Sequence, residues 1–383
     1  MNFEFASAGR IIFGAGTAKQ IGSLTRAYGE RALLVVGGKT ERAADILVHL
    51  AEAGVQVSLY SVQGEPTVPI AVEARRLALS AQVQVVIGFG GGSALDLAKI
   101  TAALASNTGD IYDYLEVIGK ALPLQQAPLP IIAIPTTAGT GSEVTRNGVL
   151  ADPEQRVKVS MRHPLMLPRL AIVDPELTYA LPPAITASTG MDALTQNIEP
   201  YTCNAPTPMT DALSAEGIRR AGRALLHAYQ NGQDAQARED MALASLFGGL
   251  ALANSKLGAV HGFAAPIGGM FPAPHGAVCA ALLPQVMRMN IQVARQIGAQ
   301  ALLSRYQQVA VWLTGSAHAE PEAGAAWVKT LSQALNIPPL SSYGITQADI
   351  PTIVEKAAVA SSMKGNGVPL SHDALAQILK ESL

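Results

Sequence analysis

Short apolar segments alternate with helix-like segments over the first 180 residues of the 383-residue chain, and this alternation limits the fold more than any other feature. Several apolar segments, such as 31–36 and 129–135, are near-continuous runs of Val, Ile, Leu and Ala rather than alternating apolar and polar residues. Such runs are typical of parallel strands that helices cover on both faces. The alternation therefore predicts a doubly wound α/β domain with a parallel sheet.

The pattern changes near Leu181-Pro182-Pro183. Before it, strands are predicted at 31–36, 55–60, 84–88, 129–135 and 170–174, helices at 39–54, 71–80 and 94–106, and an antiparallel hairpin at 149–160. Beyond it, strand signals nearly vanish, and helical periodicity is found at 205–227, 238–257, 285–306, 320–335 and 371–383. The sequence therefore predicts an α/β domain at 1–180 and an all-α domain at 181–383.

Composition excludes several classes of protein. Hydrophobic residues make up 49% and charged residues 15% of the chain, unlike the charge-rich composition of disordered proteins. The formal charge of −2 carries no sign of binding to nucleic acid or to an anionic membrane. No apolar run reaches the ~20 residues of a spanning helix, and the first residues do not resemble a signal peptide. We therefore expect a soluble, cytoplasmic protein that binds neither nucleic acid nor membrane.

A glycine-rich turn, Gly88-Phe89-Gly90-Gly91-Gly92-Ser93, lies between a predicted strand and a predicted helix. Glycines in such a turn let the backbone approach a ligand closely, and the free N–H groups at the start of the helix bind anions. The turn does not fit the Rossmann fingerprint, because serine occupies the third glycine position, and it lacks the lysine of a P-loop. A tight connection that needs glycine only for its geometry would explain the same residues.

A second loop, Thr136-Thr137-Ala138-Gly139-Thr140-Gly141-Ser142-Glu143, follows another predicted strand. Ligands of open parallel sheets bind outside the carboxyl ends of the strands, so the two loops can share one dinucleotide. The strand at 31–36 ends in Gly37-Gly38-Lys39-Thr40, without the acid that would bind an adenosine ribose and repel a 2′-phosphate. We therefore predict an NAD(P) site that includes Gly38 and slightly favours NADP, although a turn with a solvated lysine would explain the same residues.

The helical half contains a candidate metal site. His261 and His275 lie in glycine- and proline-rich surroundings, which let one helix end and the next return the second imidazole to the first. Asp192 and Gln196 are four residues apart and point from one face of a helix. An acid and two imidazoles are common ligands of a divalent ion. Each of these residues also has an ordinary structural explanation, as a helix cap or a satisfied core side chain.

Cysteine chemistry is limited to two residues, Cys203 and Cys279. Two cysteines cannot build a disulfide framework or a four-cysteine zinc site. We therefore expect both to be half-buried and to act as small apolar residues.

Taken together, the loops and the metal candidates resemble the iron-containing (group III) alcohol dehydrogenases over nearly the whole chain. The segments that carry the resemblance are FGAGT (13–17), GGGSALDLAK (90–99), IPTTAGTGSEVT (134–145), KVSMRHPLMLPRLAIVDPELT (158–178), GMDALTQNIEPY (190–201) and GAVHGFAAPIGGMFPAPHG (258–276). The resemblance implies the architecture that this family shares with dehydroquinate synthase. That architecture combines a dinucleotide-binding α/β domain at 1–180, a helical metal- and substrate-binding domain at 181–383, and an active site in the cleft between them.

The resemblance also implies residue roles. The implied cofactor contacts are Gly91, Gly92, Ser93 and Asp96 at the pyrophosphate, Thr136, Thr137, Thr140 and Ser142 between adenine and nicotinamide, and Lys158 at the ribose. The implied catalytic residues and metal ligands are Asp192, His261 and His275, with Gln196 as a fourth ligand where most members have a histidine. Because glutamine is neutral like imidazole but a poorer donor to zinc, we expect weaker binding of iron or zinc rather than its loss.

A second departure from the family is Ala265, where many members have a histidine thought to relay the alcohol proton. A water chain or another group would have to take that role here.

The resemblance implies reversible hydride transfer between NAD(P) and an alcohol–aldehyde or alcohol–ketone pair, assisted by a divalent metal, in a homodimer or larger homo-oligomer. A metal-independent reductase of an oxo-acid, similar to maleylacetate reductase, would need arginines at the site, and Arg146 and Arg162 are candidates. A dehydroquinate-synthase-like lyase would need Lys, Arg and Glu around a phosphorylated sugar acid, and the helical half is poor in such clusters. A non-catalytic nucleotide-binding protein is conceivable because of the two departures.

Overall fold

The computed structural model describes residues 2–155 and 157–383. Contacts between residues divide the chain into two compact units. We call them the sheet unit, built from Ala6–Thr137 and Gly141–Tyr179, and the helical unit, built from Ala180–Leu383 together with residues 2–5 and Ala138–Thr140.

The sheet unit is organised around parallel strands. Its described strands are β1 (Ile11–Phe13), β2 (Arg31–Gly37), β3 (Gln56–Val62), β4 (Val85–Gly90), β5 (Ile131–Pro135), β6 (Asn147–Asp152), β7 (Val157–Arg162) and β8 (Leu170–Val173). Six of them form one sheet in the order β1-β8-β5-β4-β2-β3, in which every neighbouring pair is parallel. β6 and β7 form a separate antiparallel hairpin, as predicted.

Helices cover both faces of the sheet, which explains the unbroken apolar runs in the sequence. The helices of this unit are α1 (Ile21–Arg26), α2 (Ala44–Glu52), α3 (Val68–Ser80) and α4 (Gly92–Ser106). Along β2, Leu33 and Val35 pack into one core with α3 and α4, whereas Leu34 and Val36 pack into a second core with α1 and α2. Both sets of alternating side chains are therefore buried, and the prediction of a doubly wound parallel sheet is confirmed.

One strand of the sheet has no counterpart in the sequence prediction. β1 contains only three residues, and it joins the edge of the sheet by pairing with β8. A run this short carries no usable periodicity, so only the tertiary pairing identifies it as a strand.

The helical unit contains no described strand. Its helices are α5 (Pro183–Thr202), α6 (Pro208–Gln230), α7 (Ala235–Asn254), α8 (Ala259–Met270), α9 (His275–Gln296), α10 (Gln300–Thr314), α11 (Pro321–Ala334), α12 (Ile350–Val359) and α13 (His372–Ser382). The prediction of one continuous helix at 285–306 is wrong, because the chain turns at Gly298, which has a φ of +70°. The periodicity misleads because α9 and α10 bury their apolar faces in the same core.

α9 is long and apolar enough to span a membrane, and α7 and α8 pass the same test together as a bent pair. The sequence analysis had predicted that no segment is apolar over the length of a membrane-spanning helix. Most of α9 is buried inside the helical unit, as is typical of a core helix, so length and composition alone carry little weight here. Its burial fixes the positions of the side chains on its inner face.

Candidate active site

The glycine-rich turn lies at the carboxyl end of β4 and leads directly into α4. Gly90 has a φ of +154°, and a Cβ there would come within 2.8 Å of the Ala94 Cβ and 3.0 Å of the Gly37 backbone, so only glycine fits. Gly91 is the N-cap residue of α4, and no side chain in the described part of the chain caps this helix. The first N–H groups of α4, beginning with Gly92 and Ser93, therefore suit an anion such as a pyrophosphate.

The second predicted loop begins beside this turn, because β5 neighbours β4 in the sheet. The Thr136 N–H donates to the Gly90 carbonyl at 2.9 Å. A Cβ on Gly91 would lie 3.2 Å from the Thr137 Oγ1. Gly38 follows β2, the strand on the other side of β4, and has a φ of +81°. The structure thus brings the start of α4 and three strand ends together at one edge of the sheet, whereas Thr140 groups with the helical unit.

Two residues that were predicted to contact the cofactor, Asp96 and Ser142, are hydrogen-bonded to each other. The Ser142 Oγ donates to the Asp96 Oδ1, and the Asp96 Oδ2 accepts from the Val149 N–H at 3.0 Å. Lys99 is fully buried, and its Nζ lies 3.1 Å from the Asp96 Oδ1 and 3.0 Å from the Ser142 carbonyl oxygen. These contacts tie α4 to the second loop and to β6, so they position the loop. The direct contact of Asp96 with the pyrophosphate stays a prediction.

Burial perturbs two ionisable groups behind this loop. It lowers the pKa of Lys99, although Asp96 and Glu143 oppose the shift. It raises the pKa of Glu143 to about 7, against the opposing effects of a backbone hydrogen bond and of the Lys99 charge.

Lys158 and Arg162, on β7, already have acidic partners in the sheet unit. The Lys158 Nζ donates to the Glu65 Oε1 at 2.6 Å, and its predicted contact with the ribose stays a prediction. The Arg162 Nε lies 3.3 Å from the Glu116 Oε1, and both side chains are exposed. Arg162 is therefore engaged at the surface, and this pairing gives no support to an oxo-acid site.

In the helical unit, three helices bring Asp192, His261 and His275 together. Asp192 lies on α5, His261 is the third residue of α8, and His275 is the first residue of α9. The Asp192 Oδ1 lies 3.5 Å from the His261 Nε2 and 3.7 Å from the His275 Nε2. Asp192 and His261 are buried, whereas the His275 side chain is 34% exposed. The cluster is thus reached from solvent on the His275 side.

A buried carboxylate that the sequence analysis missed, Glu199, fixes the orientation of His261. Its Oε2 lies 2.6 Å from the His261 Nδ1, and its Oε1 accepts from the Val260 N–H at 2.7 Å. A Cβ on Gly258 would come within 2.9 Å of the Glu199 Oε1, so glycine allows this approach. A carboxylate on Nδ1 directs Nε2 toward a metal. The signal in the sequence was the position of Glu199 two turns beyond Asp192, on the same face of α5.

Neighbouring charges determine the direction of the pKa shifts of Asp192 and His261. Burial raises the pKa of Asp192, but the nearby charges of His275 and His261 outweigh burial and lower it. Burial lowers the pKa of His261, but the charges of Glu199 and Asp192, together with the hydrogen bond to Glu199, outweigh burial and raise it to about 10. The two carboxylates thus favour a positive charge between them. A divalent cation would supply that charge and release the imidazole proton.

The residues present fit a divalent metal. Three buried atoms of the cluster, the Asp192 Oδ1, the His261 Nε2 and the Gln196 Oε1, have no hydrogen-bond partner among the described residues. Buried polar atoms are rarely left unpaired, so these atoms indicate a ligand other than the protein. Carboxylate oxygen and imidazole nitrogen are ligands of divalent metal ions. Gln196 also touches the cluster, because its Nε2 donates to the Asp192 Oδ2 at 3.4 Å.

Ala265 and Cys279 are two further positions that bear on the chemistry of the site. Ala265 is exposed, one turn beyond His261 on α8, and offers no side chain that could carry a proton. Cys203 and Cys279 were expected to be half-buried, but the structure buries both. The Cys279 Sγ lies beside the cluster, because Cys279 follows His275 by one helical turn.

The sheet unit thus offers an edge that suits the pyrophosphate of a dinucleotide, and the helical unit offers a candidate metal cluster. This combination is that of a dinucleotide-dependent oxidoreductase that uses a divalent metal. The family model for iron-containing alcohol dehydrogenases matches residues 8–175, and the model for the C-terminal part of the Fe-containing alcohol dehydrogenase family matches residues 186–383. The chain therefore belongs to the iron-containing alcohol dehydrogenase family, and the predicted resemblance is confirmed.

Individual relatives agree with this assignment. The chain is 35% identical to 1,3-propanediol dehydrogenase of Klebsiella pneumoniae, with 95% of this chain and 96% of the relative covered. It is 34% identical to alcohol dehydrogenase 4 of Saccharomyces cerevisiae, with 87% and 85% covered. Among solved structures, a 1,3-propanediol oxidoreductase superposes with a TM-score of 0.93 at 31% identity and 100% coverage of both chains. The fold, the site and the family are those of an enzyme that interconverts alcohols and aldehydes.

A further solved structure was determined with a bound cofactor. The sulfoacetaldehyde reductase of Bifidobacterium kashiwanohense, in complex with NAD⁺, has a TM-score of 0.86 at 29% identity, with 100% of this chain and 99% of that chain covered.

Proposed function

We propose that this protein transfers hydride between NAD(P) and a primary alcohol or its aldehyde, or a small ketone, with iron or zinc held by Asp192, Gln196, His261 and His275. The observation that carries the proposal is the meeting of Asp192, His261 and His275 from three helices, with the Asp192 Oδ1 and the His261 Nε2 buried and unpaired among the described residues. The names of the relatives, an alcohol dehydrogenase and a 1,3-propanediol dehydrogenase, support alcohol substrates.

Each part of the chain has a separate task in this proposal. Residues 1–180 bind the dinucleotide, with its pyrophosphate at the start of α4, and residues 181–383 bind the metal and the substrate. A divalent ion at the cluster would supply Lewis-acid stabilisation of negative charge on the substrate oxygen. Glu199 keeps the His261 Nε2 directed at the cluster, and the partly exposed His275 borders the side from which substrate enters. Because Ala265 cannot carry a proton, water takes the alcohol proton to solvent.

The assembly and the location of the protein also stay at the level of proposals. A homodimer or larger homo-oligomer follows from the family resemblance, and a cytoplasmic location follows from the composition. Both are predictions of the sequence analysis.

The proposal is tested by mixing the purified protein with NADH or NADPH and a panel of aldehydes, ketones and oxo-acids. The protein is used after chelation and after reloading with iron or zinc. We expect oxidation of the cofactor by an aldehyde or ketone in the reloaded protein, and its loss after chelation. Failure to oxidise either cofactor under any combination would contradict the proposal. Turnover of oxo-acids alone, unaffected by chelation, would favour the metal-independent reductase.

The cofactor preference depends on Gly38, where an acid would repel the 2′-phosphate of NADP. We expect Gly38→Asp to lower kcat/KM for NADPH at least about tenfold, since like charges would meet, and to lower the value for NADH much less. Aspartate tolerates the left-handed conformation of this position, and a Cβ there would meet only the Arg42 Nη1, at 3.8 Å. The measurement is the ratio of kcat/KM values for the two cofactors.

Gly38→Asn is the matched control, because asparagine has nearly the same shape and backbone preference as aspartate but no charge. Equal losses with NADPH in the two variants would show that the shape of the side chain, and not its charge, determines the result. Such an outcome would contradict the electrostatic reason given for the preference, and a wild-type ratio that favours NADH would contradict the preference itself.

A further inference from the structure

We propose that Cys279 binds the metal ion through its sulfur in place of the amide oxygen of Gln196, so that a carboxylate, two imidazoles and a thiolate hold the ion. The proposal rests on the proposed function, because it concerns the same metal. The family resemblance implies Gln196, not a cysteine, as the ligand that replaces the usual histidine. The inference therefore comes from the structure of this chain alone.

The position of the Cys279 sulfur carries the first step of the argument. Cys279 follows His275 by one turn of α9, and its Sγ lies 3.8 Å from the His275 Nε2. One ligand atom each from Asp192, His261, His275 and Cys279 lies within 4.8 Å of the other three. Bonds of about 2.0–2.1 Å to nitrogen or oxygen and about 2.3 Å to sulfur imply ligand atoms roughly 3.3–3.6 Å apart in a tetrahedron. The separations of 3.5, 3.7 and 3.8 Å around Asp192 and His275 are close to that geometry.

The surroundings of the sulfur carry the second step. The Cys279 side chain is fully buried, and the Asp192 Oδ1 and the His261 Nε2 are buried without a hydrogen-bond partner in the described part of the chain. The Cys279 Sγ lies within 4.8 Å of one ligand atom of each of these residues, so it borders unpaired polar atoms although the rest of its side chain packs in the helical core. The other cysteine differs, because the Cys203 Sγ contacts the Ser255 Oγ at 3.3 Å and the Ala205 N–H at 3.4 Å, away from the metal candidates.

The chemistry of the donors carries the third step. Thiolate is a soft ligand that favours zinc and cobalt, whereas the amide oxygen of Gln196 is a poor ligand for zinc. When the ion binds, the sulfur–metal bond forms as the thiol proton passes to solvent, so the charges balance without any other reactant. A cysteine ligand would thus compensate for the missing histidine, and it predicts tighter binding of zinc than of iron(II).

Cobalt(II) binding to the metal-free protein tests the proposal without turnover, because sulfur bound to cobalt gives a charge-transfer absorption band in the near ultraviolet. We expect the band in the wild-type protein at one cobalt per chain, and its loss in Cys279→Ser together with at least about tenfold weaker cobalt binding. Cys203→Ser is the matched control and should keep the band and the affinity. Gln196→Ala should also keep the band.

The wild-type spectrum is decisive even if Cys279→Ser fails to fold. Cobalt bound at one per chain without the band would overturn the proposal, as would a band that persists in folded Cys279→Ser. If such a protein still reduces aldehydes with a metal, the proposed function stands and only the cysteine ligand is wrong. A wild-type protein that binds no cobalt, zinc or iron would contradict the proposed metal site and the cysteine ligand together.

Discussion

The His261→Ala variant is expected to lose its bound metal and at least about 10³-fold in kcat/KM for alcohol oxidation. His261 supplies the imidazole that Glu199 directs at the cluster, so its removal leaves the cluster with a single imidazole, that of His275. A loss of this size corresponds to about 4 kcal/mol of transition-state stabilisation, which is within the range that metal ions supply. The measurements are the metal content of the purified protein and the steady-state kinetics with zinc or iron added.

Stability must be separated from catalysis in this variant, because His261 also pairs with buried carboxylates. We expect its free energy of unfolding to fall by about 3 kcal/mol, as Glu199 and Asp192 lose a charged partner. His275→Ala resolves the two effects, since His275 is partly exposed and its removal should cost activity with little loss of stability. His372→Ala, at an exposed position on α13, is the matched histidine control and should behave like the wild type. Folded variants that lose the metal but keep their turnover would show a metal-independent reaction.

The second large effect is expected at the start of α4, where Gly91→Val should raise KM for NADH and NADPH at least about 100-fold. The backbone of Gly91 has φ −76° and ψ −171°, which valine adopts without backbone strain, and the atoms nearest to its Cβ within the described part of the chain would be side-chain atoms of Thr137, at 3.2 and 3.3 Å. A small shift of the Thr137 side chain should therefore retain the fold. The new side chain would point toward the Thr137 Oγ1 and fill the space where a pyrophosphate approaches the helix N–H groups. The loss corresponds to about 2.7 kcal/mol of binding free energy.

Titration of the variant with NADH and NADPH, followed by cofactor fluorescence, measures this loss directly. Gly91→Ala is a graded control and should show a smaller effect, because its single methyl group occupies less of the same space. The metal content should be unchanged in both variants, because the metal residues belong to the helical unit. Unchanged cofactor affinity in Gly91→Val would mean that the dinucleotide does not bind at this turn.

A strand or helix could be predicted where the pattern of apolar and polar residues along it matches the way its side chains are buried. β2 and β5 were recognisable because nearly every position is apolar, and the structure explains this by the two cores on either side of the sheet. β1 could not be found, because three residues carry no period and pairing with β8 creates the strand. The break at Gly298 was missed because α9 and α10 contribute to one core, so the apolar spacing continues across the turn.

Some residues of the candidate site could likewise be predicted from the sequence, whereas others could not. Asp192, His261 and His275 could be proposed from residue type and spacing, because the chain has only seven histidines and two of them lie in glycine- and proline-rich segments. Glu199 and Cys279 were missed, although each follows a candidate ligand at helical spacing, since their importance depends on contacts between helices that the sequence does not specify. For Asp96 and Lys158 the sequence suggested more than the structure shows. Their motif positions suggest a contact with the cofactor, but the structure gives them protein partners, Ser142 and Glu65.

Direct transfer of hydride from the nicotinamide to the substrate carbon is tested with NADH and NADPH that carry deuterium at both C4 positions. The metal-loaded protein is mixed with the deuterated cofactor and an aldehyde in ordinary water, and the alcohol is analysed by mass spectrometry. We predict one deuterium on the carbinol carbon of the product, and no product from protein stripped of its metal. Alcohol formed without deuterium, or deuterated cofactor left unoxidised with every aldehyde tested, would contradict the assignment of this chain as a hydride-transferring dehydrogenase.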